Sequence, residues 1–207
     1  MKRIFSIISI VFFTLFLFEP TFAQVATQSD LVELTKLDPS IVLDVKYATT
    51  NNFTGKILYP SGKVMLREPA ARALVKANLE LKSERGLKIK VFDGYRPLSV
   101  QKKMWEIIHD PKFVADPAVG SNHNRGIAVD VTLVDNSNQE LDMGTPFDDF
   151  TEKAAVDYKQ LTEEQKKNRS ILQEEMKKQG FMVLPSEWWH FELKDKAKYP
   201  LLDVELR

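Results

Sequence analysis

SNHNRGIAVDVTLVD, residues 121–135, carries the reading that decides the fold. From Ile127 onward, Val129, Val131 and Leu133 alternate with Ala128, Asp130 and Thr132, the period of a strand with one face in the core and the other outside it. Asp130 is therefore expected off the apolar face. His123 lies seven residues before Asp130. Residues so spaced on a straight strand point to opposite faces, which assigns His123 to the preceding loop. Gly126 supplies the backbone freedom for a turn between them, and Ala128, small and on the face of Asp130, leaves room for an ion above it.

Working outward, Leu87, Ile89 and Val91 alternate with Lys88 and Lys90 in a second strand, which Asp93-Gly94 closes. Ahead of it, Ala70, Leu74, Ala77 and Leu81 recur at helical spacing between Arg67 and Arg85, with Pro69 in the first turn and Gly86 past the end. Behind it, Tyr95-Arg96-Pro97 leads to Ser99, a capping residue for a helix carrying Val100, Met104, Ile107 and Ile108 that stops near His109-Asp110, before Pro111. Ile41 to Tyr47 reads as a strand entering the polar loop Thr49–Asn52. Thr162 and Gln165 form a capping-box pattern for a helix with Ile171, Leu172 and Met176, ended by Gly180. Strands over 181–184 and 189–193 close the chain. Without regular βαβ spacing, this order predicts an α+β fold, a single domain whose mainly antiparallel sheet is flanked by helices.

The chain begins Met1-Lys2-Arg3, continues with an apolar run from Ile4 to Phe18, and reaches Thr21-Phe22-Ala23 after Glu19-Pro20. That layout is a cleavable signal peptide over residues 1–23, too short in its apolar part for the ~20 residues of a spanning helix. Residues 24–207 are then one exported domain, periplasmic or secreted, with no membrane anchor left after cleavage. The 29 basic and 29 acidic residues balance, which leaves no electrostatic case for nucleic acid. With no cysteine, disulfides, thiolate metal sites and a cysteine nucleophile are all excluded. Any metal must be held by nitrogen and oxygen.

Two of the three histidines keep unusual company, His123 in SNHNRGIAVD and His190 in EWWHFE. Taken singly, each is a common surface or core residue. Together, His123, Asp130 and His190 fit the inventory of a catalytic zinc site, with ligands at ~2.0–2.2 Å and a fourth position for water. Strand parity separates Glu187 from His190, placing Glu187 in the turn after Pro185-Ser186, where a carboxylate approaches the activated water as general base. Arg96, just after the strand-ending Asp93-Gly94, either reaches into a cleft or pairs with a nearby carboxylate. Trp188, Trp189 and Phe191 are packing residues or a substrate platform in equal measure. His109 reads as a surface residue at a helix C-terminus. Motifs for other chemistries, H-E-x-x-H, the P-loop, G-x-S-x-G and the dinucleotide fingerprint, are absent.

These residues resemble the vancomycin-resistance type of D-alanyl-D-alanine dipeptidase, within the zinc D,D-peptidases related to the hedgehog domain. The resemblance rests on YATTNNFTG at 47–55, FDGYRP at 92–97, SNHNRGIAVDVTLVD at 121–135, MGTPFD at 143–148 and EWWHFE at 187–192. It implies one Zn2+ on His123, Asp130 and His190, Glu187 as general base, and Arg96 polarising the scissile carbonyl and its oxyanion. Tyr47, Ser121 and Asp148 would line the pocket for the termini of the dipeptide D-Ala-D-Ala, hydrolysed to two D-alanines. Family members with this signature work in the cytoplasm, whereas this chain carries an export signal, pointing to salvage of dipeptides from wall turnover rather than to resistance. Two alternatives stay open at this point: a D,D-carboxypeptidase that trims wall peptides, and a zinc-stabilised binding module without catalysis.

Overall fold

The computed structural model describes residues 31–207; the signal-peptide reading of residues 1–23 lies outside them. In chain order the elements are β1 (Leu31–Glu33), α1 (Leu34–Leu37), β2 (Val42–Leu43), β3 (Met65–Arg67), α2 (Glu68–Arg85), β4 (Lys88–Asp93), α3 (Leu98–Ile107), β5 (Ala128–Val134), α4 (Glu163–Lys178), β6 (Phe181–Leu184) and β7 (Glu187–Leu193). Five strands form one sheet in the order β2-β4-β5-β7-β6, and β1 pairs with β3 in a small second sheet. Every pairing is antiparallel except β2 with β4. Helices α2 and α4 pack against each other and on the sheet, burying Leu74, Leu81, Leu172 and Met176 with Ile89, Val91 and Leu133. The expected α+β domain with a mainly antiparallel sheet is what the chain builds. Among the described residues no helix is long and apolar enough to cross a membrane.

Local chemistry explains the helix ends. Pro69 occupies the first turn of α2, where its missing N–H costs nothing, and Gly86 takes the left-handed cap at φ 64°. At α4 the capping box is complete: Thr162 Oγ1 accepts from the Gln165 backbone N–H, and Gln165 Oε1 accepts from the Thr162 N–H. Thr162→Ala should therefore lower stability by about 1 kcal/mol, read as a fall in Tm of about 2–4 °C with activity unchanged.

Three expectations need correction. β5 is buried along its whole length rather than on one face, because the segment after it folds back over the second face. There Phe147 lies 4.9 Å from the ring of Phe92, and Trp188 Nε1 donates to Thr145 Oγ1 at 2.8 Å. The strand read over 41–47 shrinks to Val42–Leu43 and passes into a short 3-10 turn at Lys46–Ala48. Its cause is the Tyr47 carbonyl, which accepts from the N–H groups of both Leu58 and Tyr59 and draws the chain out of the sheet. Ser99 does not cap α3, which starts one residue earlier; the Ser99 N–H is satisfied instead by Asp203 Oδ1 at 2.7 Å.

Candidate active site

The centre of the sheet brings the chemistry together. Asp130 on β5 sits opposite His190 on β7. On the other side it faces Asp93 on β4, because the register shifts between Val91 and Asp93 and leaves Phe92 as an extra residue. His123 comes from a 3-10 turn, His123–Arg125, just ahead of β5. Gly126 closes that turn at φ 71°, and a Cβ there would lie 2.9 Å from the Leu31 side chain, so the turn requires glycine.

His123 Nε2 is 3.2 Å from His190 Nδ1, His190 Nδ1 is 3.0 Å from Asp130 Oδ1, and His123 Nε2 is 3.3 Å from Asp130 Oδ2. All three residues are buried. The outer nitrogens set the tautomers. His123 Nδ1 donates to the Gly94 carbonyl at 2.7 Å, and His190 Nε2 donates to the Glu192 carboxylate at 3.0 Å. In the neutral rings both inner nitrogens therefore present lone pairs to one another and to a carboxylate. Such a triangle calls for a cation at its centre. Its edges match the ~3.3 Å between ligand atoms of a tetrahedral zinc site with ~2.0 Å bonds, and the outer hydrogen bonds are those that orient metal-binding imidazoles. The electrostatics agree. Burial opposes a charge on His190, yet hydrogen bonds to Asp130 and Glu192 lift its pKa to about 10. Burial likewise opposes charge on Asp130, but the two histidines hold its carboxyl well below the usual range. The nitrogen and oxygen donors present fit zinc.

Arg96 fulfils both of its readings. It lines the cavity beside the triangle, and its Nε and Nη2 donate to Asp93 Oδ2 at 3.1 and 2.6 Å while Nη1 donates to Gln101 Oε1 at 2.9 Å. Burial works against the guanidinium's charge, but the Asp93 carboxylate more than offsets it. Asp93 itself accepts at its other oxygen from the Tyr59 hydroxyl at 2.7 Å. Among the described residues nothing takes the remaining N–H groups of Arg96, which can serve a ligand.

Glu187 is the first residue of β7 rather than part of the turn. Opposite it the β6–β7 register breaks, since Val183 pairs with Phe191 and Leu184 with Glu187. This irregularity cancels the parity that would have sent Glu187 and His190 to opposite faces. Burial, helped by the charge of Asp130, raises the Glu187 carboxyl above its ordinary pKa, against the pull of His190, His123 and Arg96. Asp148 sits at φ 58° and accepts from the Tyr47 hydroxyl at 3.0 Å. Burial pushes its carboxyl well up as well, seconded by Asp130. Tyr47, Arg96, Ser121, His123, Asp130, Asp148, Glu187 and His190 all line a single cavity of about 770 Å3. Trp189 also walls it, while Trp188 packs away toward Thr145. His109 is exposed beyond the end of α3, its ring 5.5 Å from that of Trp105.

A family model, Peptidase_M15, described as D-ala-D-ala dipeptidase, matches residues 27–205. This chain belongs to that family. Among curated members, the D-alanyl-D-alanine dipeptidase of Escherichia coli K12 is 38% identical over 174 residues, covering 84% of this chain and 90% of that one. The D-alanyl-D-alanine dipeptidase of Enterococcus faecalis V583 is 30% identical over 178 residues, covering 76% and 87%. A solved structure of a mutant of the vancomycin-resistance D,D-pentapeptidase VanY in complex with Zn(II) superposes loosely, with a TM-score of 0.44 at 16% identity over 67% of this chain and 78% of that one.

Four residues of this peptidase site escape a reading of the sequence as sites. Asp93 was visible only as the end of a strand, and Glu192 only as the last letter of EWWHFE. Tyr59 carries no local signal, since it joins the network from 34 residues before Asp93, and Gln101, five residues after Arg96, reads only as one more helix position.

Proposed function

We propose that this peptidase hydrolyses D-alanyl-D-alanine to two D-alanines, with one zinc ion held by His123, Asp130 and His190. The observation that carries the reading is the buried triangle of two imidazole lone pairs and a carboxylate, with Glu187 and Arg96 lining the same cavity. A zinc ion there would supply Lewis acidity, bringing the pKa of water near ~7 and polarising the scissile carbonyl.

The chain's own groups do the rest. Glu187, its basicity raised by burial, takes a proton from the attacking water and returns it to the leaving amine. Arg96, fixed by Asp93, points its remaining N–H groups at the oxygen on which charge develops, a contribution of about 2.7–4 kcal/mol where comparable donors have been removed. Asp148 with Tyr47 offers a buried carboxylate for the substrate's ammonium group, whose charge would reverse the upward shift of the Asp148 carboxyl. Ser121 completes the lining for the dipeptide's termini. The balance of 29 basic and 29 acidic residues supplies no reason to involve nucleic acid.

We further propose that residues 1–23 direct export to the periplasm or outside the cell, where the enzyme would salvage dipeptides released by wall turnover. A processed, active form in those fractions supports this placement, and activity confined to cytoplasmic extracts overturns it. The activity itself is tested by D-alanine release from D-Ala-D-Ala and from a pentapeptide ending in D-Ala-D-Ala, using the zinc-loaded protein. Turnover of the dipeptide alone is expected. Trimming of the pentapeptide would make it a carboxypeptidase, and no turnover of either would leave a zinc-stabilised binding module.

A further inference from the structure

Gln101 stands between the guanidinium of Arg96 and one wall of the cavity. It is completely buried on α3, and both ends of its amide are used. Oε1 accepts from Arg96 Nη1 at 2.9 Å, and Nε2 donates to the Ala115 carbonyl at 2.8 Å. Since a carbonyl only accepts and a guanidinium only donates, the amide orientation is fixed, with Oε1 toward Arg96 and Nε2 toward Ala115.

Each contact has a consequence. Asp93 grips Arg96 along one edge, with Nε and Nη2 both on Oδ2, which leaves the guanidinium free to pivot about that oxygen. Gln101 gives a second point of attachment and removes the pivot. Ala115 ends the cavity-lining run that begins at Pro111 and includes Phe113. Phe113, 37% exposed, lies 4.6 Å ring to ring from Phe150, which lies 5.3 Å from Phe53. Three phenylalanines from three separate loops thus meet at the cavity's outer side, and one of those loops is tied to Gln101.

We infer that Gln101 is a positioning residue that holds Arg96 for the developing oxyanion and anchors the loop bearing Phe113, so that guanidinium and aromatic rim are set by one amide. The inference rests on the peptidase reading given above. It is tested by steady-state kinetics on D-Ala-D-Ala, with zinc content and Tm, for the wild type, Gln101→Met and Gln101→Glu. Gln101→Met fills the space without hydrogen bonds. It should keep its zinc, lose roughly 10- to 100-fold in kcat, as expected when a catalytic group drifts by about 1 Å, and show a raised KM. Gln101→Glu, ionised beside the Arg96 guanidinium, keeps an acceptor for Arg96 but gives up the donor to Ala115. Its kcat should return to within about threefold of wild type while KM stays raised.

A Met variant with wild-type kcat overturns the inference, as does a Glu variant as slow as the Met one. Should the Met variant not fold, the Glu variant decides: raised KM at near-wild-type kcat supports the assignment, and unchanged KM overturns it. A zinc-loaded wild type inactive on the dipeptide removes the peptidase reading and this inference with it, an outcome that the wild-type assay distinguishes from the others.

Discussion

Glu187→Gln should lower kcat on D-Ala-D-Ala by roughly three to four orders of magnitude, with zinc content unchanged. The amide keeps the shape of the side chain but has no lone pair basic enough to take a proton from water, so the loss falls at the upper end of what a positioned acid–base group contributes. Glu187 is not a corner of the ligand triangle, whose edges are made by His123, Asp130 and His190 alone; the metal should stay. Stability should hold or rise slightly. Burial raises the pKa of this carboxyl, meaning that its ionised form is disfavoured in the folded state, and the substitution removes that cost. Stoichiometric zinc measurement beside the kinetics checks both halves. Residual activity within tenfold of wild type would transfer the base to another group.

Asp130→Asn should abolish activity by a different route, through the metal. Two neutral imidazoles and an amide lack the negative charge that now balances the cation, so zinc affinity should drop by more than the roughly 10- to 100-fold typical of losing an outer partner. Glu192→Gln supplies that milder comparison, because Glu192 only orients His190 from outside. Competition against a chromophoric chelator measures both affinities. Zinc at about 100 times its Kd should also stabilise the wild type by about 2.7 kcal/mol, a shift in Tm that Asp130→Asn should lose. Equal affinities for the two variants would put Asp130 outside the metal site.

The triangle was legible because its parts leave local traces. With only three histidines in the chain, the two in SNHNRGIAVD and EWWHFE stand out, and strand parity alone sends His123 into the loop and Asp130 to the face away from Val129 and Val131. Helices α2 and α4 were legible for the same reason, since Pro69, Gly86, Thr162 and Gln165 act within a turn of where they stand. Parity failed where the sheet is irregular. The extra residue at Phe92 and the break opposite Glu187 have no signature in the alternation of side chains, yet they decide that Asp93 faces Asp130 and that Glu187 shares a cavity with His190. Burial of β5 on both faces depends on residues 143–147 returning over it, and the cap of α3 depends on Asp203, far along the chain. Contacts of that range follow from the assembled fold and not from any window of sequence.

The last residues of the chain lie across the loop that presents His123. Leu202 donates its N–H to the Asn124 carbonyl, Arg125 Nη1 donates to the Tyr199 carbonyl, Tyr95 and Val204 exchange hydrogen bonds through the tyrosine hydroxyl, and Leu202 and Leu206 are buried. His190 and Glu187 belong to the same late stretch of sequence. A stretch of this chain that stops short of residue 187 therefore lacks the last ligand, and one that stops between residues 193 and 199 has the whole triangle without the brace on the turn that presents His123.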